Sequence, residues 1–208
     1  MSPRVSADQR DQYLQDRREE IINAAVEVFG KKGFAGASVS EIARAAGIAK
    51  GTVYLYFQSK EEIFTAILAE RSFLPQLEDL MLVDQPLERT LTDIAHSYFD
   101  FMDSNLPVFR IAIADSYHFP MHAQQVFREI ILNGNLALAD FLSKLCQAGT
   151  IPPLEDPFLT ARVFLGLLST HILAQEILEG KQIAPIPEED WIREIVRVFL
   201  AGLRPCSQ

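Results

Sequence analysis

Apolar residues recur every three to four positions along nearly the whole chain, and no stretch alternates with period two for long enough to build a sheet. The spacing predicts an all-α fold of about nine helices. A first helix over 8–32 places Ile21, Ile22, Ala25, Val28 and Phe29 on one face, with Gly33 where a left-handed cap closes such a helix. Ser38-Val39-Ser40-Glu41 has the form of a capping box and opens a short helix to Ala46. Gly47 then allows a tight turn, Ile48 turns back into the small core, and a second short helix covers 50–56. A second box, Ser59 to Glu62, starts a helix that carries Ile63, Ile67, Leu68 and Phe73 towards Met81 and bends near Pro75.

Beyond it, five more helices are expected over 86–103, 106–117, 120–148, 156–179 and 187–203. Pro86, Pro107, Pro157 and Pro187 fall where a first helical turn tolerates a missing donor, and Gly149 and Gly180 fall at expected C-terminal caps. The pattern divides the chain into an N-terminal helix-turn-helix domain, 1–60, and a larger helical domain, 61–208.

Charge sharpens that division. The net charge is −9, yet residues 1–60 carry nine Lys and Arg against seven Asp and Glu, while 61–208 carry ten against twenty-one. Only the first part suits an approach to phosphate. Two cysteines, Cys146 and Cys206, are too few for a disulfide framework or a four-ligand zinc site. The first residues lack the apolar stretch of a signal peptide, and no run reads as a membrane span, so a soluble cytoplasmic protein with no membrane partner is expected.

Two short helices joined by a glycine turn and packed on a longer amphipathic helix can present the second short helix to a DNA major groove. Val53 and Phe57, with Ile42 and Ile48, anchor that helix from below. Lys50 adds a charge beside Gly51, where backbone N–H groups favour a phosphate, and Thr52 offers a hydroxyl and a methyl to base edges. Tyr54 can donate a hydroxyl to a phosphate or a base, and Tyr56 lies on a neighbouring strip. Core packing is the alternative for both tyrosines. Leu55, between them, reads as packing, and Ser40 and Lys60 as flanking backbone clamps.

These residues carry a resemblance. Gly33-Phe34 through Ser38-Val39-Ser40-Glu41-Ile42-Ala43, then Ala46-Gly47-Ile48-Ala49-Lys50-Gly51-Thr52-Val53-Tyr54-Leu55-Tyr56-Phe57, then Ser59-Lys60-Glu61-Glu62-Ile63-Phe64, resemble the DNA-binding signature of the TetR (tetracycline-repressor-like) family over 15–68. The resemblance implies a homodimer joined by its last two helices, a pseudo-palindromic double-stranded DNA operator, and a small-molecule effector pocket in the C-terminal domain. It implies a DNA-facing set of Ser40, Ala49, Lys50, Gly51, Thr52, Tyr54, Tyr56 and Lys60. Ala49 departs from the Ser or Thr of many family members and leaves the recognition helix without a side-chain cap.

In the C-terminal part, polar residues interrupting apolar helices are candidates for the effector pocket: His96, Arg110, Tyr117, His122, Asn133, His171 and Gln175, with Phe99 as a wall. Each is also readable as a satisfied structural residue. The helix at 156–179 is apolar almost all round and must be covered on every side, either as the fully buried central helix of a monomer or with Phe164, Leu167 and Leu168, together with Trp191, Ile195 and Val198 of the last helix, in a dimer interface. No phosphate loop, metalloprotease helix or serine elbow is visible, so an enzyme is not expected, nor a metal or cofactor.

Overall fold

The computed structural model describes residues 7–115, 124, 125 and 127–203, and every regular element among them is helical. The chain divides into two compact units, Met1–Arg71 with Pro107–Val126, and Ser72–Leu106 with Phe127–Gln208.

The first unit holds α1 (Ala7–Gly36), α2 (Val39–Ala45), α3 (Lys50–Val53) and α4 (Lys60–Glu70). Gly33 interrupts α1 at φ 68°, a value that favours a residue without a side chain, so the regular helix ends where the sequence places its cap. Its inward face buries Ile21, Ile22, Ala25 and Phe29. Phe29, Phe34 and Phe64 close a ring triad with centroids 5.2, 5.5 and 6.2 Å apart. These tilted and edge-on pairs tie α4 to α1. The Arg18–Glu70 ion pair and a 2.7 Å hydrogen bond from Arg71 to Asn23 Oδ1 repeat the tie at the far end of α4.

The second unit holds α5 (Leu74–Leu82), the first part of α6 (Leu87–Asp115), α7 (Asn133–Gln147), α8 (Pro157–His171) and α9 (Glu188–Gly202). A π-helical turn, Phe127–Leu132, leads into α7, and another, Ile172–Ile177, continues α8. Asp156 caps α8, its carboxylate accepting from the N–H groups of Phe158 and Leu159.

Four expectations change. The bend at Pro75 is a break: α4 ends at Glu70, and Pro75 sits in the first turn of a separate α5. At Pro107 the reverse holds, because α6 runs through it. A proline inside a helix forfeits one hydrogen bond and costs about 3 kcal/mol. Phe99 and Met102 before it, and Val108 and Ala112 after it, are all buried, and burying each such side chain returns about 1.5–3 kcal/mol for the larger ones. Gly180 is not the left-handed cap; Glu179 takes that conformation at φ 57°, and a Cβ on Gly180 would lie 2.5 Å from the Ala174 carbonyl oxygen. Finally, Pro157–Ile177 reaches the length and mean hydropathy, 1.4, of a membrane span, where none was expected. Core helices pass the same test, and this one buries Ala161, Phe164, Leu165 and Leu168 against its own unit.

Candidate functional site

The reading head is built by caps and one turn. Ser38 Oγ accepts from the Glu41 N–H at 3.4 Å while the Ser38 N–H donates to the Glu41 carboxylate at 3.1 Å, which is the complete reciprocal box. Lys32 also donates to this carboxylate, and with Ser38 it holds the Glu41 pKa down at about 2. Gly47 turns the chain at φ 67°, and the Ile48 N–H returns to the Ala43 carbonyl at 3.0 Å. The recognition segment is shorter as a helix than its pattern predicts. α3 ends at Val53, and a turn carries Tyr54 to Tyr56, with the N–H groups of Tyr56 and Phe57 both on the Val53 carbonyl.

Val53, Phe57 and Ile42 are buried beneath this segment, with Ile48 half-buried, as the anchor requires. Ser40, Ala49, Lys50, Gly51 and Tyr54 are exposed, and Thr52, Tyr56 and Lys60 are half-buried. Ala49 stands at the N-cap of α3 with no side-chain hydrogen bond, as its chemistry dictates. The Lys50 ammonium lies 5.7 Å from the centre of the Tyr54 ring, so charge and aromatic face share one patch.

Two residues depart from expectation. Leu55 is 82% exposed and not packed. The signal was present: with Val53 and Phe57 both inward, the residue midway between them points out. Lys60 does not face outward as a clamp. Its ammonium donates to the carbonyls of Phe34, Ala37 and Ala35 at 2.9, 3.3 and 3.4 Å, which occupies the three donors of an ammonium group. The second box is also shifted: Ser59 Oγ accepts from the Glu62 N–H at 3.2 Å, but the Glu62 carboxylate returns to Gln58 N–H at 2.6 Å instead of to Ser59.

Of the effector candidates, Phe99, His171 and Gln175 are buried in the second unit. The Phe99 and His171 rings are 5.3 Å apart, and His171 and Trp191 5.5 Å apart. Burial lowers the His171 pKa below its ordinary 6.5, with Glu176 opposing. His96 is half-buried on the rim of a 410 Å³ groove between α6 and α9, 3.8 Å from Glu189, and its ring is not among the buried aromatics. Asn133 is half-buried, whereas Asn135, which the sequence reading passed over, is buried. Arg110 is exposed and belongs to the first unit, so it does not join the buried set. Tyr117 and His122 lie outside the described residues.

The interface candidates also divide. Phe164, Leu168 and Ile195 are buried in their own unit, Phe164 with its ring 5.0 Å from Phe199. Leu167 and Trp191 are half-buried and joined by a 3.2 Å hydrogen bond from the indole N–H to the Leu167 carbonyl. Val198 is exposed. The exposed apolar residues of α8 are Leu159 and Val163, followed by Leu173 in the π-helical turn that continues the helix. An apolar helix declares that it needs cover, but not which face its own core takes.

Comparison with known proteins supplies the family context. The model of bacterial regulatory proteins of the tetR family matches residues 21–67, and that of the C-terminal domain of AefR-like transcriptional repressors matches 89–204. The fatty acid metabolism regulator protein of Bacillus subtilis (strain 168) is 30% identical over 168 residues, covering 78% of this chain and 82% of that protein. The fatty acid degradation regulator FadR from Bacillus halodurans superposes with a TM-score of 0.72 at 25% identity, over 90% of this chain and 96% of that one. The flavonoid-responsive regulator FrrA gives 0.71 at 26% identity, over 93% and 100%.

Proposed function

Since the chain belongs to the TetR family of bacterial regulatory proteins, we propose that it represses transcription by setting the patch of Lys50, Gly51, Thr52, Tyr54 and Leu55 in the major groove of a pseudo-palindromic operator. The observation that carries this is the pairing of an exposed Lys50–Tyr54–Leu55 face with Val53 and Phe57 buried directly beneath it. Lys50 and the α3 N–H groups meet phosphate, Tyr54 donates its hydroxyl, and the Leu55 side chain suits the methyl of a thymine. Ser40 and Tyr56 flank the patch, and Ala49 leaves its phosphate contact to the backbone. Lys60 holds the scaffold and not the duplex.

The protein acts by binding and not by catalysis, in the cytoplasm where DNA lies, and as a homodimer. Leu159, Val163 and Val198 are the exposed apolar residues of α8 and α9 that a second copy would cover. The acidic balance of 61–208 keeps DNA to the heads. A small apolar or aromatic effector bound by the second unit releases the operator, and it does so through unequal affinity for the bound and released forms of the dimer. The relatives' names support this reading, since they describe regulators of fatty acid metabolism and a regulator responsive to flavonoids.

Fluorescence anisotropy with the DNA flanking the protein's own gene, titrated at several salt concentrations, tests it. Tight binding that weakens steeply with salt is expected. A folded protein with no salt-dependent binding to that DNA would overturn the reading.

A further inference from the structure

The described part of the second unit buries five polar side chains, Thr90, Asn105, Asn135, His171 and Gln175, and none of them is a lysine, arginine or carboxylate. Three have partners. The Thr90 hydroxyl donates to the Pro86 carbonyl at 3.5 Å, the Asn105 amide to the Phe101 carbonyl at 2.8 Å, and Gln175 Oε1 accepts from the Ile186 N–H at 3.2 Å. Asn135, 2% exposed, and His171, 8% exposed, have no hydrogen bond to any described residue. Native interiors rarely tolerate this, because such groups lose water and gain nothing.

A buried water is a poor explanation at His171. A water needs two to four polar partners. The ring's aromatic neighbours are Phe99 and Trp191, whose indole N–H already donates to Leu167, and the Glu176 carboxylate acts on it electrostatically. The nearby Tyr98 hydroxyl is likewise engaged, 2.8 Å from Ser169 Oγ. Both orphaned groups also adjoin π-helical turns: Ile172–Ile177 starts on the residue after His171, and Asn135 lies in the first turn of α7, directly after Phe127–Leu132. Turns of this kind are frequent at functional sites.

We propose that His171 is the polar anchor of the effector site, with Asn135 a second, and that the effector is uncharged where it is buried: a flat aromatic compound bearing a carbonyl, hydroxyl or amide. This deepens the ligand-responsive reading and rests on it. A neutral imidazole donates from one nitrogen and accepts at the other, so it pairs with a neutral polar group. A carboxylate or phosphate would shed its hydration with no buried lysine or arginine among the described residues to replace it, beside an imidazole whose burial disfavours the charged form. Of the ring pair that brackets His171, Phe99 stands edge-on at 82° and Trp191 is tilted by 32°, and the half-buried Trp191 is the member nearer solvent.

Trp191 is the chain's single tryptophan, so its fluorescence reports on this site alone. The probes are biphenyl carboxamide and biphenyl carboxylate, equal in shape and different in charge. The carboxamide should change Trp191 emission and bind about tenfold tighter than the carboxylate, the scale of one well-made buried hydrogen bond. His171→Phe should lose about that factor, and His171→Asn should recover part of it. Circular dichroism checks that the variants fold, and if His171→Phe does not, the matched pair on the native chain decides. Equal or tighter carboxylate binding, an unresponsive Trp191, or a folded His171→Phe that binds the carboxamide unchanged would overturn the proposal. Operator release by a long-chain acyl-CoA with Trp191 silent removes this inference and keeps the ligand-responsive reading; release by no compound of either kind removes that reading itself.

Discussion

The Lys60 ammonium lies 4.5 Å from the centre of the Phe34 ring and donates a 2.9 Å hydrogen bond to the carbonyl of that same residue. With its bonds to Ala35 and Ala37, it joins the carbonyls of the segment that leads from the end of α1 into α2. Lys60→Met keeps the stem and removes the donors. A stability loss of about 1–3 kcal/mol in urea unfolding is expected. The slope of log affinity against log salt should stay as it was, whereas a slope smaller by about one would put this ammonium on a phosphate.

Leu55 separates recognition from folding more sharply, because its side chain touches solvent while its neighbours two positions away are core. Leu55→Ser should leave the melting temperature within a degree or so and weaken the specific operator by about 1–2 kcal/mol, the scale of a lost base contact. Val53→Ala, directly beneath, should do the opposite and cost about 1–3 kcal/mol of stability through the cavity it opens. Paired melts and anisotropy titrations read both, and a Leu55→Ser protein with full operator affinity would remove the residue from the interface.

What could be read from the sequence was local chemistry. The Ser38–Glu41 box and the positive φ of Gly33 and Gly47 follow from rules that act within a few residues, and all three stand where the pattern puts them. What could not be read depends on partners far along the chain. Lys60 looks like a free cation until Phe34, twenty-six positions back, is brought beneath it. Pro107 obeys the local rule for a helix start, and buried residues on both sides overrule it. Phe164 and Val163 are neighbours in an unbroken apolar run, and only the fold decides that one is core and the other surface.

Glu41 predicts an acid limb in the stability of the first unit. Its folded pKa of about 2 lies below the ordinary 4.5, chiefly because Lys32 donates to it. The unfolded chain therefore binds the proton first, so the stabilisation is complete above 4.5 and disappears as pH falls towards 2. Denaturation titrations should show this slope in the native chain and a shallower one in Glu41→Gln, which retains the shape of the side chain. An identical slope in the two proteins would mean that the carboxylate is free in solution.

His171 places a second limb at higher pH. Burial lowers its folded pKa below 6.5, against a raising influence from Glu176. A base held neutral in the native state is protonated first in the unfolded chain. Its contribution is therefore complete above 6.5 and declines as pH falls below that value. The second unit should lose stability between neutral and mildly acidic pH, and His171→Phe should flatten that region; Trp191 emission follows the transition. A native chain whose stability does not change across this interval would show the imidazole to be solvated.

The α8 stripe carries the last expectation, because the buried and exposed apolar residues of that helix make opposite predictions. Phe164→Asp puts a charge into the unit's own core beside Phe199 and should unfold it. Val163, one position earlier, is 56% exposed, so Val163→Asp costs the isolated chain little. If a second copy covers this stripe, the same carboxylate lands in an apolar interface beside its symmetry mate, and the dimer should part. Sedimentation velocity should then find a folded single chain near 23.4 kDa. Operator affinity should fall steeply with it, since one head keeps only half of the phosphate contacts. A Val163→Asp protein that remains dimeric would move the interface away from α8.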